Sequence, residues 1–174
     1  TLESRSRANL GLIRKIEQAL ERNEFALHYQ PKVDCRAGRV VGFEALIRWN
    51  HPVLGMRMPG EFLPLIEGSE LAIRIGDWVI ATALAQMVAW KKQGLDLAIS
   101  VNVAANHLQQ PDFLPQLRNK LAACPEIPPD RLELEVVESA ALEGVAQISQ
   151  LIDDCQALGV RFSLDDFGTG FSSL

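Results

Sequence analysis

Leu132-Glu133-Leu134-Glu135-Val136-Val137 is followed, after a short gap, by an amphipathic stretch over residues 145–158, by Gly159, and then by Val160-Arg161-Phe162-Ser163-Leu164-Asp165. The first and last segments are apolar runs of strand length, and alternation puts Glu133 and Glu135 on one face of the first. The middle segment has helical spacing and a glycine stop. Strand, helix and strand in that order form the connection that two parallel neighbours require. The same grammar runs upstream. A long helix is predicted over 73–93 and stops at Gly94, a strand over 97–103, and a helix over 112–123 closed by Cys124-Pro125. Strict alternation from residue 73 onward predicts βα units in a parallel sheet or barrel.

The opening part is built differently. Leu12, Ile13, Ile16, Ala19 and Leu20 recur at helical spacing and predict an amphipathic helix over 9–23. Strands are predicted over 25–33 and 40–49 around a turn at 36–39, and the two fit an antiparallel hairpin. A Pro/Gly-rich loop over 50–60 and a short helix around 62–67 complete this part. A (β/α)₈ barrel needs about 250 residues, whereas this chain has 174 and about five predicted strands. The fifth would be an apolar edge with no neighbour. The expectation is therefore part of a larger barrel, with no internal repeat.

Composition bounds the function. The chain is 48% hydrophobic and 22% charged with a net charge of −5, which is ordinary globular composition. Its sequence pI of about 5.2 argues against a broad footprint for duplex nucleic acid. An acidic protein still binds a phosphorylated ligand when metal ions supply positive charge locally. Cys35, Cys124 and Cys155 are scattered and lack metal-type spacing, as expected of reduced structural thiols in a cytoplasmic protein. No apolar run is expected to approach the roughly 18 residues that span a bilayer.

The predicted strand ends carry oxygen donors. Glu44 lies towards the end of the second strand, Asn102 of the third, Glu135 of the fourth, and Asp165 with Asp166 closes the fifth. In a parallel α/β barrel these ends share one rim. Carboxylates with an amide oxygen make a hard donor set suited to Mg²⁺, Mn²⁺ or Ca²⁺. Each position has a plainer reading as well. Glu44 could pair with Arg48, Asn102 could be a core amide bonded to backbone, and Asp165-Asp166 could be a solvated acidic turn. Glu133, nearer the N-terminal end of its strand, reads as a structural contact, and Glu138 falls in the following loop. His28, His51 and His107 lack ligand spacing and default to packing or surface roles, as do Trp49, Trp78 and Trp90. Arg14-Lys15 and Lys91-Lys92 read as solvated helix faces.

Glu44-Ala45-Leu46-Ile47-Arg48-Trp49 resembles the signature of the EAL domain, a bacterial cyclic di-GMP phosphodiesterase family. Further segments agree in order: Tyr29-Gln30-Pro31, His51-Pro52 with Gly55, Pro59 with Phe62, Ser100-Val101-Asn102, Leu134-Glu135-Val136-Val137-Glu138-Ser139, and Asp165-Asp166-Phe167-Gly168-Thr169-Gly170. The resemblance implies a (β/α)₈ TIM-type barrel with an antiparallel first strand, and hydrolysis of cyclic di-GMP to linear pGpG with Mg²⁺ or Mn²⁺ at a two-metal site. It further implies that Glu44, Asn102, Glu135 and Asp165 hold one metal, and that Asp165 and Asp166 help hold a second. Glu138 would steady the loop over 166–173, which takes part in dimer formation in this family. Gln30, Leu46 and Arg48 match substrate contacts, with Arg48 reaching a phosphate.

Two departures are mild, Val137 where Thr is frequent and Phe171 where Tyr is common; a third, His107 where Gln is frequent, has no evident meaning in the sequence. The family's catalytic Lys, a further metal-binding Glu and a Gln match positions beyond Leu174, so the isolated piece is expected to be inactive. Residues 1–23 resemble the helix that follows a GGDEF domain, which implies an upstream GGDEF or sensory module, possible tethering to the inner membrane through it, and an EAL unit over 24–174. The competing reading is a catalytically silent cyclic di-GMP receptor. A third is a self-standing interaction module.

Overall fold

The computed structural model describes residues 2–137 and 145–165. Its helices are α1 (Leu2–Glu21), α2 (Glu70–Lys92), α3 (Ala105–Leu108), α4 (Phe113–Ala122) and α5 (Val145–Ala157). Its strands are β1 (Phe25–Asp34), β2 (Arg39–His51), β3 (Gly55–Arg57), β4 (Ala98–Val103), β5 (Leu132–Val137) and β6 (Arg161–Asp165). They form one sheet in the order β1-β2-β4-β5-β6, with β3 paired to β2 off that path. β1 and β2 are antiparallel, and β2, β4, β5 and β6 run parallel. Helices connect the parallel strands, as the strand–helix alternation predicts.

The sheet has two unlike faces. Ala45, Ile47 and Trp49 of β2, Ile99, Val101 and Val103 of β4, and Leu132, Leu134 and Val136 of β5 are buried. They share one core with Ile16 and Ala19 of α1, Ile75, Val79, Ile80, Ala83, Leu84 and Met87 of α2, and Leu117 of α4. The alternate positions (Glu44, Leu46 and Arg48; Ser100 and Asn102; Glu133 and Glu135) belong to the opposite face. The sheet curls around that polar face. Lys32 on β1 reaches Ser100 on β4 and Glu135 on β5. A flat sheet would hold β1 and β5 about 14 Å apart, three strand spacings, which is beyond a lysine's reach. Curvature of that kind is what a barrel wall requires.

Several boundaries differ from the sequence expectation for local reasons. The expected helix at 62–67 is instead a pair of 3₁₀ turns, Pro59–Glu61 and Leu63–Leu65, each with proline near its start. The loop at 50–60 contains β3, which pairs Trp49 with Arg57 and His51 with Gly55. α2 begins at Glu70 rather than 73, because the Ser69 hydroxyl accepts a hydrogen bond from the Ala72 amide at 3.3 Å and caps the helix. α1 starts earlier than expected and stops at Glu21, with Asn23 beyond it at φ +55°. α3 was not anticipated. α2 is also long and apolar enough on average to cross a membrane, although it has no uninterrupted apolar run; its apolar stripe is instead buried in the core.

The aromatic and histidine side chains pack as expected. The Trp49 indole donates to Glu24 at 3.0 Å, and Trp90 contacts Tyr29 and Phe43. His107 is buried edge-on to Phe113, with Nε2 3.4 Å from Asp77. The His51 Nδ1 accepts from the amides of Val53 and Leu54 and shapes the turn before β3. Cys155 is buried, and burial pushes its thiol up to about 11.

Gly42 is where β2 begins to pair with β4, opposite Ala98. A Cβ there would lie 2.9 Å from the Ala98 carbonyl oxygen, so the two strands meet only because the side chain is absent. Gly42→Ala is expected to cost about 1–3 kcal/mol, measured as a lowered urea unfolding midpoint with an unchanged m-value.

Candidate active site

Parallel register arranges the polar face in rows. Glu44 lies opposite Ser100, and Ser100 opposite Glu133. One pleat further along, Asn102 lies opposite Glu135, and Glu135 opposite Ser163. Asp165 stands opposite Val137, one pleat beyond Ser163 on β6. Glu44, Asn102 and Glu135 thus come from three neighbouring strands and share one face. Asp165 is placed here by its backbone register alone, and Asp166 and Glu138 lie outside the described residues.

Asn102 Nδ2 donates to Glu44 Oε1 at 3.1 Å. This bond fixes the amide's orientation and leaves Oδ1 buried with no hydrogen-bond partner. A buried carbonyl oxygen without a donor is costly. A cation beside it would remove that cost. The plainer reading of Asn102, a core amide bonded to backbone, is not what the structure shows. Neither is a Glu44–Arg48 ion pair: Glu44 takes its hydrogen bond from Asn102.

Lys32 reaches these rows from β1, one pleat before Glu44. Its ammonium donates to Glu135 Oε1 and to the Ser100 hydroxyl at 2.6 Å, and lies 3.8 Å from Glu133 Oε2. The Ser100 hydroxyl in turn donates to Glu133 Oε2 at 2.9 Å. Burial alone would lower the Lys32 pKa, but the Glu135 hydrogen bond and the charges of Glu135, Glu133 and Glu44 raise it. For Glu133, burial disfavours the charged form, yet hydrogen bonds from Ser163 and Ser100 and the charges of Lys32 and Arg161 hold its carboxyl below the usual range. The structural role expected of Glu133 therefore has definite partners.

Among the described residues, no group of three His, Cys, Asp or Glu side chains is arranged to hold a metal. The oxygen donors that share this face are the Glu44 and Glu135 carboxylates and, on the strand between them, the orphaned Asn102 oxygen. All are hard oxygen ligands, and this set fits Mg²⁺ or Mn²⁺ better than zinc.

The expected substrate contacts lie alongside. Gln30 is exposed directly opposite Glu44, and Leu46 is half-buried one pleat above Glu44. Arg48, 9% exposed, donates to the Ile47 carbonyl at 2.8 Å. Among the described residues no carboxylate pairs with it. A buried guanidinium without an anion is suited to bidentate recognition of a phosphate.

Two participants escaped the sequence reading, Lys32 and Ser100. A signal for Lys32 did exist. It has the strand parity of Gln30 and stands opposite Gly42, on the polar face beside three acids.

The chain matches the EAL domain family over residues 13–174. It belongs to that family. It is 40% identical over 175 residues to MucR of Pseudomonas aeruginosa, named a bifunctional diguanylate cyclase/cyclic di-GMP phosphodiesterase, covering 100% of this chain and 25% of that one. It is 37% identical over 163 residues to the cyclic di-GMP phosphodiesterase PA2567 of the same organism, covering 93% and 28%. The solved PaMucR phosphodiesterase in complex with c-di-GMP superposes with a TM-score of 0.85 at 41% identity, over 94% of this chain and 66% of that one. The chain thus spans about a quarter of the length of these curated relatives. Its sheet is part of the TIM-type barrel of EAL domains, with the first strand antiparallel.

The depressed Glu133 pKa has a sign. Its contribution to stability is complete above the ordinary value of 4.5 and is lost as pH falls through the lower folded-state value. Glu133→Gln should therefore lose stability less steeply than the wild type as pH falls from about 5 to about 3, measured by urea unfolding midpoints.

Proposed function

We propose that this domain is a divalent-metal-dependent phosphodiesterase that hydrolyses cyclic di-GMP to linear pGpG. The observation that carries this reading is the buried, unpartnered Asn102 oxygen on the strand between those of Glu44 and Glu135, with the buried Arg48 guanidinium, which pairs with no carboxylate among the described residues, further along β2. The names of the relatives and the ligand of the PaMucR structure supply the substrate.

Glu44, Asn102 and Glu135 would hold the first cation, together with Asp165. Asp165 and Asp166 would contribute to a second, and Glu138 would steady the loop that follows. These last three roles rest on the sequence match. Metal at such a site activates water and offsets charge on the reacting phosphodiester. The protein's own groups do the rest. Asn102 orients the Glu44 carboxylate through its Nδ2, Arg48 binds a phosphate oxygen through its guanidinium, and Gln30 and Leu46 border the bound ligand. Because the polar face curls on itself, these groups meet the substrate in a concave, partly dehydrated setting, where charge interactions are strengthened.

The receptor reading remains the competitor, since the same face could hold cyclic di-GMP without cleaving it. The full-length protein should convert cyclic di-GMP to pGpG with Mn²⁺, followed by chromatography. Glu44→Ala should reduce turnover at least about 100-fold, beyond what loss of an outer-shell partner costs, while cyclic di-GMP binding by calorimetry persists. Saturable binding with no pGpG from the wild type would favour the receptor.

A further inference from the structure

We propose that Lys32 is a built-in cation of this site, competing with the divalent metal for Glu135 and thereby setting metal affinity. The inference rests on the metal-site reading above and assigns a function to a residue outside the ligand set. Lys32 lies on β1, one row below Glu44, and faces Gly42 across the hairpin. Its ammonium crosses the concave face to the same Glu135 carboxylate that would serve as a ligand.

The pocket around the ammonium is matched to it. The ammonium donates to two oxygens, Glu135 Oε1 and the Ser100 hydroxyl, and lies within ion-pair range of a third, Glu133 Oε2. Ser100 is 2% exposed and relays the contact to Glu133. The Glu135 side chain is only 12% exposed, so its negative charge has little water to rely on. A carboxylate so placed needs a cation, and it can satisfy that need with the lysine or with a metal.

Two consequences follow. A metal arriving at Glu135 must share or displace the ammonium, and it binds in the repulsive field of a unit positive charge. Lys32 also keeps Glu133 and Glu135, which share one strand face, from repelling each other. It is thus a positioning residue. It acts through Glu135, the side chain that would serve as a ligand.

The test uses the full-length protein stripped with EDTA and titrated with Mn²⁺ in a calorimeter, beside Lys32→Met, Lys32→Gln, Lys32→Arg and Glu44→Gln. The neutral variants should bind Mn²⁺ about tenfold more tightly, since a positive charge at contact range has been removed. Lys32→Arg, which keeps the charge, should stay near the wild-type affinity. The neutral variants should also unfold at lower temperature without metal and gain more from Mn²⁺ than the wild type does. Unchanged or weaker Mn²⁺ binding by a folded neutral variant overturns the proposal.

Wild-type protein labelled with ¹⁵N-lysine provides a measurement independent of variant folding. The Lys32 ammonium resonance should shift with Mg²⁺ in step with the binding isotherm, and a resonance that ignores Mg²⁺ overturns the proposal. Glu44→Gln separates the two levels of inference. Mn²⁺ binding that Glu44→Gln abolishes, with Lys32 variants unaltered, leaves the metal site standing and removes Lys32's role. Mn²⁺ binding indifferent to Glu44→Gln removes both.

Discussion

Negative charge on the concave face of the sheet is the constraint on which the site depends. Glu133 and Glu135 project from the same side of one strand, and Glu44 stands two strands away on the same face. Carboxylates that are partly dehydrated and close together are stable only with compensation. The protein supplies it in three forms: the Lys32 ammonium on Glu135, serine hydroxyls on Glu133, and the Asn102 amide on Glu44. Each lies on a different strand from the acid it serves. The compensation therefore exists only while the strands keep their register.

That register is maintained from the other side. The apolar residues of β2, β4 and β5 are buried against α1, α2 and α4, and burial of this extent drives the sheet to form. A slip of one residue would turn the acids into the core and the apolar rows outward. The helix-facing side thus selects the register, and the polar side receives its geometry as a consequence. Gly42 adds a local condition, since β2 and β4 approach too closely there for any side chain.

The proposed function sits where the compensation is incomplete. The Asn102 oxygen is buried without a donor, and among the described residues Arg48 pairs with no carboxylate, its guanidinium donating to the Ile47 carbonyl. One calls for a cation and the other for an anion, on the same face of the sheet. The metal-assisted reaction on a phosphodiester proposed above would meet both needs, and the chain belongs to the EAL family.

Much of this was legible along the chain, because strand alternation and helical periodicity are local. The strand at 132–137 was read to the residue. The hairpin, the parallel βα order and the shared face of Glu133 and Glu135 also followed from periodicity. The turns around Pro59 and Pro64, the short β3 and α3 were not legible. Elements of three or four residues have too little periodicity to separate them from a loop. Contacts between Lys32 and Glu135, 103 positions apart, were invisible for another reason. No local pattern encodes how far a sheet curls. By itself, the sequence determined which residues face the helices and which face the acids, through side-chain alternation. Only the tertiary structure decided which acid meets which cation, because curvature, a collective result of packing across five strands, brings β1 over to β5.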